Sequence, residues 1–200
     1  ALSIVAESVA QPERYFKVNL VGSIALLDAA IAVGIKRLIF SSSAAVYGAP
    51  SASVLHEELP LAPVNPYGAT KAAFEQVLRA YAAAHGLTAI ALRYFNVAGA
   101  TELVSERHNP ETHLLPRLMS AALAGEPFPI YGNDYATPDR TAVRDYVHVA
   151  DVAAAHLAAL EKLAAPEEHG FSAINIGSGA GTSIREAIKA IEKASGARIE

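Results

Sequence analysis

Tyr67 and Lys71 stand four residues apart in the stretch "NPYGATK", and Phe74 and Leu78 continue the spacing of four, three and four along one stripe of a helix. That stripe puts a lysine where an apolar side chain is expected. A lysine held beside a tyrosine stabilises the phenolate and lowers the tyrosine pKa toward a value useful to a general base near neutrality. A serine hydroxyl within reach can then hydrogen-bond the substrate oxygen whose proton is moving. Ser41, Ser42 and Ser43 end the run "KRLIFSSS" and are the candidates. Taken alone, a Tyr-x-x-x-Lys pair has a simpler reading, in which the lysine snorkels along its helix and the tyrosine packs on a neighbour.

The elements around these residues decide between the two readings. Leu20, Ile24, Leu27 and Ile31 predict a helix over 18–33, stopped by Gly34. "KRLIFSSS" is a buried strand with its serines at the carboxyl tip. A proline-rich loop leads into a helix over 66–84, capped by Asn65 with Pro66 at its first position. "LTAIALRYFN" is the next strand. Helix and strand alternate as in a doubly wound parallel sheet, and in such a sheet the strand tips open on the edge where ligands bind. The serines, the tyrosine and the lysine therefore share one edge.

Beyond "NVAGA" the rhythm breaks into polar turns, a short helix at "LLPRLMSAALAG" and a turn-rich stretch with short strands in "PFPIYGNDYATPDRTAVRDY", the composition of a smaller subdomain. A helix at "VADVAAAHLAALEKL", a strand at "SAINIGSG" and a last amphipathic helix at "SIREAIKAIEKASG" follow. Asp151 fits the N-terminal turn of its helix, and with His148 it does not make a zinc site; no metal is expected. Of the 200 residues 52% are apolar and 18% charged, enough to bury a sizeable core. A net charge of -4 without a basic cluster argues against nucleic acid and anionic membranes as partners. There is no cysteine, hence no disulfide and no thiolate metal site, and each apolar stretch is interrupted well before a membrane-spanning length. A cytoplasmic protein is the expectation. The chain opens without methionine or signal-peptide order, and no glycine-rich turn follows a first strand, as a dinucleotide site requires. It reads as an internal piece of something longer.

The runs "FSSSAAVYG", "NPYGATKAAFE", "LRYFNVAGA", "HLLPRLM", "YGNDYATPD", "VRDYVHVADVA" and "INIGSG" cover nearly the whole chain in order. In them the chain resembles the extended short-chain dehydrogenase/reductases, and within them the UDP-glucose 4-epimerases. The resemblance implies an α/β, Rossmann-like doubly wound parallel sheet lacking its first strands, with a smaller substrate-binding subdomain. Residues 1–98 and 147–177 would form a partial NAD-binding domain, and 99–146 with 178–200 part of the nucleotide-sugar subdomain. Residue 1 would lie just after the fourth strand, with the glycine-rich NAD turn outside the chain.

By the same resemblance Tyr67 is the catalytic base, Lys71 its partner on the NAD ribose, and Ser43, with Ser42 as the alternative, the hydroxyl that completes the set. The implied reaction is NAD-dependent epimerisation at C4 of a UDP-hexose through a 4-keto sugar. Tyr94, Ser41, Ser42 and Asn19 join Tyr67 and Lys71 as cofactor positions. Ser43, Phe95, Asn96, His113, Leu114, Tyr131 and Arg144 are the substrate positions. For three of these the residues alone suggest otherwise: core packing for Phe95, a strand-edge aromatic for Tyr131, and a salt bridge to Asp145 for Arg144. The sequence departs from the family at His113, where an asparagine is usual, at Arg140, which replaces a small residue, and at Ala45, where a threonine is common. Other nucleotide-sugar enzymes of the superfamily, namely a UDP-N-acetylglucosamine or UDP-pentose 4-epimerase, a dehydratase or a decarboxylase, and a non-catalytic dinucleotide-binding scaffold are the alternatives. A homodimer through the helices at 18–33 and 66–84 is the implied assembly.

Overall fold

Asn65 starts the helix that carries the tyrosine and lysine: its side-chain oxygen accepts from the Gly68 N–H at 2.8 Å, and Pro66 occupies the first turn. This is one of fifteen elements in a computed structural model that describes residues 1–50, 52–105, 108, 111–164 and 170–199. Helices α1 (Val5–Ala10) and α2 (Pro12–Tyr15) lead through a π-helical turn (Phe16–Val21) into α3 (Gly22–Ala32). Next come β1 (Arg37–Ser43), a 3₁₀ turn (Ala44–Tyr47), α4 (Pro66–His85), β2 (Thr88–Tyr94) and β3 (Asn96–Ala98). The chain continues with α5 (Leu114–Ala124), β4 (Val143–His148), α6 (Val149–Ala164), β5 (Gly170–Ile176), β6 (Gly181–Ser183) and α7 (Ile184–Ser195).

Two compact units result. The first comprises Ala1–Phe95 and Asp151–Ile176, and the second Asn96–Ala150 and Gly177–Glu200. In the first unit β1, β2 and β5 form a parallel sheet in that order, in register so that Ser43, Tyr94 and Ile176 end together at the carboxyl edge. Successive residues of β2 point to opposite faces. Ala89 joins Leu27, Phe74, Leu78, Ala82 and Leu87 in a core under α3 and α4, whereas Ile90 and Leu92 pack with Ala159 and Leu163 of α6. Helices thus cover both faces, as a parallel sheet requires, and the α/β doubly wound expectation holds.

The helix predicted over 18–33 is the end of a longer helical run. From Pro12 to Ala32 the helix is continuous, and among the described residues it alone is long and apolar enough to cross a membrane. The charges and the glycine on which the expectation of no membrane-spanning stretch rested leave the helix continuous, since Gly22 and Asp28 keep helical geometry within α3. Its inward stripe of Leu20, Ile24, Leu27 and Ile31 packs against α4, the behaviour of a core helix.

In the second unit β3 pairs parallel with β4, β4 pairs antiparallel with β6, and α5 packs on α7. Ser183 and Glu186 form a capping box that starts α7. Of the short strands expected between 127 and 146 only β4 appears. Its lead-in is a turn in which Tyr135 N–H bonds the Arg140 carbonyl and Arg140 takes a left-handed φ of 64°. The prolines and glycine that suggested turns prevail there over the β-branched and aromatic residues.

The first turn of α4 lies directly on the 3₁₀ turn. A Cβ at Gly68 would stand 2.5 Å from the Ala45 carbonyl oxygen, a distance only glycine relieves. Gly68→Ala is expected to lower unfolding free energy by about 1–3 kcal/mol and to displace the neighbouring Tyr67. Denaturant unfolding checks it, and a midpoint equal to the wild type would show that the turn yields freely.

Candidate active site

Strand alternation sorts the three serines. Ser41 and Ser43 emerge on one face of β1, and Ser42 between them is buried, its hydroxyl donating to Glu75 Oε1 at 2.6 Å. Ser42 therefore does not face the tyrosine, and both roles suggested for it, as alternative to Ser43 and as cofactor contact, give way to a core contact. Ser43 accepts the Ala45 N–H at 3.2 Å, which fixes its oxygen and leaves its O–H to the Tyr67 phenol. Burial pushes the Tyr67 pKa above its ordinary 10.0, and the Ser43 hydrogen bond pulls it part of the way back.

Lys71 is the buried cation of the site. Its side chain lies on the inward stripe of α4 with Phe74 and Leu78, at 5% exposure, and Nζ donates to the Ser41 carbonyl at 2.8 Å. The ammonium stands 4.9 Å from the Phe40 ring centre and 5.7 Å from that of Tyr67. The expected lowering of the tyrosine pKa by this lysine is absent: the ammonium faces a carbonyl and ring faces, and burial prevails at the phenol. Burial pushes Lys71 itself down to about 8. Below that pH the folded and unfolded chains both carry the charge and the full burial cost stands. As pH rises from about 8 to 10.5 the native state sheds a proton the unfolded chain keeps, so stability climbs. The gap is worth about 3 kcal/mol. Lys71→Met is therefore expected to be more stable than the wild type at pH 7, by a margin that narrows between pH 8 and 10.5; thermal melts at several pH values read it.

Tyr94, the residue aligned with Ser43 on β2, is held by a partner the sequence did not suggest. His156 of α6 uses Nδ1 to donate to the Val152 carbonyl at 2.8 Å, so Nε2 accepts the Tyr94 O–H at 2.8 Å. With its one proton committed, the phenol oxygen receives the Ser41 hydroxyl at 3.0 Å. Burial raises Tyr94, the Ser41 bond lowers it, and the nearby Tyr67 raises it again. Phe95 follows, half-buried, its N–H bonded to the Ile176 carbonyl. Asn19 is elsewhere: buried, it clamps the Leu2 N–H and carbonyl at 2.7 and 2.9 Å and reaches Thr70 Oγ1 at 3.3 Å. Its amide is engaged in holding the N-terminal segment and α4 together.

Beneath the edge lies a second group that sequence reasoning missed. Glu75 and Arg93, exposed by 1% and 2%, make a bidentate pair with contacts of 3.1 and 2.6 Å. Arg93 also donates to Tyr47 Oη at 2.7 Å, and Tyr47 donates to Asn175 Oδ1 at 2.7 Å. Asn175 in turn holds Glu57 and the Leu55 carbonyl in the proline-rich loop. The network joins β1, α4, β2 and β5 immediately below the serines.

The second unit carries the remaining candidates. Asn96 opens β3 and is exposed. His113 precedes α5, its Nδ1 and backbone N–H each 2.8 Å from Glu111 Oε1, and Leu114 is the first helical residue, where a backbone N–H has no partner within the helix. Tyr131 is 70% exposed in a loop and not on a strand edge. Arg144 makes no ion pair with Asp145: its Nη1 donates to the Val143 carbonyl at 2.7 Å, and Asp145 instead accepts from Ser178 and Gly179. Both residue-only readings are overturned, and the Arg144 guanidinium is left exposed. His148 Nδ1 accepts the Ala150 N–H at the start of α6, a capping contact. Asp151 lies in the first turn of that helix, as expected.

A tyrosine, a serine hydroxyl and a buried lysine stand at the carboxyl edge of a parallel sheet, the place where doubly wound α/β proteins bind their ligands. The profile of the NAD dependent epimerase/dehydratase family matches residues 1–177, and the chain belongs to that family. Over 98% of its length it is 45% identical to a UDP-glucose 4-epimerase of Streptomyces lividans, of which it covers 59%. The crystal structure of UDP-glucose 4-epimerase from Brucella ovis in complex with NAD superposes on the whole chain with a TM-score of 0.93 at 46% identity, and 62% of it is covered. That from Bifidobacterium longum, in complex with NAD+ and UDP, gives 0.91 at 40% identity over the whole chain and 60% of its own. The chain spans about three fifths of the length of these relatives.

Proposed function

We propose that the protein to which this chain belongs interconverts UDP-glucose and UDP-galactose using bound NAD. The observation that carries the reading is the juxtaposition of Tyr67, Ser43 and the buried Lys71 at the sheet's carboxyl edge, in a family whose cited relatives are UDP-glucose 4-epimerases. The donor set fits the cofactor. An ammonium has three N–H donors, and among the described residues Ser41 supplies its one hydrogen-bond acceptor, so two remain for ribose hydroxyls.

In this reading Tyr67 takes the proton of the sugar 4-hydroxyl while Ser43 hydrogen-bonds the same oxygen, and Lys71 holds the ribose. Bound NAD would supply the acceptor for the hydride of the sugar C4 and the donor that restores it, so no net oxidation would result. Tyr67 then gives its proton back to the 4-oxygen of the epimer. Tyr94 lines the cofactor side of the edge, fixed by His156. Asn96, His113, Leu114, Tyr131 and Arg144 are the contacts to UDP, with the exposed guanidinium of Arg144 suited to the diphosphate.

The assembly that goes with this reading is a homodimer through α3. Leu26 in α3, Val18 and Val21 in the π-helical turn before it, and Val33 at its end are 69%, 43%, 60% and 76% exposed, opposite the stripe that packs on α4. The outward residues of α4 are Gln76, Arg79, Ala80, Ala83, Ala84 and His85, a surface without a large apolar side chain. Sedimentation of Leu26→Glu should show a monomer where the wild type shows a dimer.

The decisive experiment incubates the full-length protein with UDP-galactose and no added NAD and looks for UDP-glucose. Product formation supports the reading, and its absence from a folded, NAD-loaded protein removes it.

A further inference from the structure

Immediately before α5 the sequence "HNPETH" sets His108, Glu111 and His113 at spacings of three and two. One ligand atom from each of the three lies within 4.8 Å of the others, and the two imidazole rings are 4.8 Å apart between centres at an angle of 51°. We propose that these residues form a binding site for a divalent cation of the zinc type, with His108, Glu111 and His113 as its protein ligands. Two imidazoles and a carboxylate are a donor set that Zn²⁺ accepts, and three protein ligands leave a coordination position open to an oxygen from outside the chain. Tetrahedral ligands at about 2.1 Å from a metal are roughly 3.4 Å apart, so the set closes with a movement on the order of an ångström.

The local hydrogen bonds already prepare it. Glu111 Oε1 is held at 2.8 Å by both the His113 N–H and its Nδ1, which fixes the carboxylate before a cation arrives. With the proton on Nδ1 toward Glu111, the ring nitrogen with a lone pair is Nε2. The positive end of α5 opposes a cation at this place. The carboxylate offsets that opposition, which makes Glu111 the ligand whose charge matters most. No other group of this kind occurs among the described residues.

The test is equilibrium dialysis of the full-length protein, stripped with a chelator, against Zn²⁺, for the wild type and for His108→Ala, Glu111→Gln and His113→Ala. One ion bound per chain, with each variant weakened by at least about tenfold and His56→Ala unchanged, is the expected result. Absorption of bound Co²⁺ in the visible range provides a readout that does not depend on the variants folding. An absent or nonstoichiometric uptake by the wild type, or uptake indifferent to all three changes, overturns the site.

Discussion

Tyr67→Phe in the full-length protein should reduce turnover by about 10²–10⁴-fold while UDP binding stays close to that of the wild type. The change removes one oxygen, and in the proposed reaction that oxygen is the group which takes the proton from the sugar. Apart from the Ser43 hydroxyl that donates to it, the oxygen holds nothing in place: the backbone carbonyl of Tyr67 holds Thr70, and the ring lies against Lys71. Because the loss falls on proton transfer, kcat drops and KM moves little. The pH dependence makes the assignment sharper. Burial raises the phenol and the Ser43 hydroxyl lowers it, so Ser43→Ala removes the lowering influence and should carry the alkaline rise in rate to higher pH. Tyr67→Phe has no such limb to move. Turnover by the phenylalanine variant comparable to the wild type would take Tyr67 out of the base role, and an unmoved profile in Ser43→Ala would take Ser43 out of contact with it.

Glu75→Ala carries the largest expected loss of stability. It leaves the Arg93 guanidinium, 2% exposed, without its carboxylate, and it strips the Ser42 hydroxyl of its acceptor. Removing one member of a buried pair costs about 3–5 kcal/mol, because the surviving charge stays out of water. Arg93 keeps Tyr47 Oη and the Glu57 carbonyl, and these are neutral dipoles. Replacing both members, as in Glu75→Leu with Arg93→Met, should recover much of the loss, since no isolated charge is then buried. Denaturant unfolding of the single and double variants reads this directly. A single variant as stable as the wild type would mean that water reaches Arg93, contrary to its burial.

The alternation of helix and strand, the cap at Asn65 and the stripe through Lys71 were legible because each depends on local spacing. The tyrosine, lysine and Ser43 were legible as a group once the strand order put their tips on one edge. Glu75 and Arg93 were present in the same stretches but escaped notice. Glu75 sits four residues after Lys71 on the buried side of α4, and Arg93 interrupts an otherwise apolar central strand. Two opposite charges at positions that must be buried, on consecutive elements, are a pair waiting to be drawn. The separation of Ser42 from its neighbours follows from strand alternation and could have been read from it. The clamp made by Asn19 could not, since Leu2 lies far from it in sequence and belongs to a segment with no periodic signal. The breadth of the helix from Pro12 was missed for a different reason: the apolar spacing of four, three and four begins only at Leu20, and the π-helical turn over Phe16–Val21 shifts the period before it.

Asn175 has a consequence for the order in which a ribosome delivers the chain. The residues from Ala1 to Phe95 hold β1, α4 and β2, but Asn175 belongs to the segment Asp151–Ile176, which returns only after the whole of Asn96–Ala150 has been made. Until then Tyr47 lacks its acceptor and one side of β2 lacks its neighbour. The growing chain must therefore wait, with the floor of its catalytic edge half assembled, and its last parallel pairing is set by synthesis as much as by affinity.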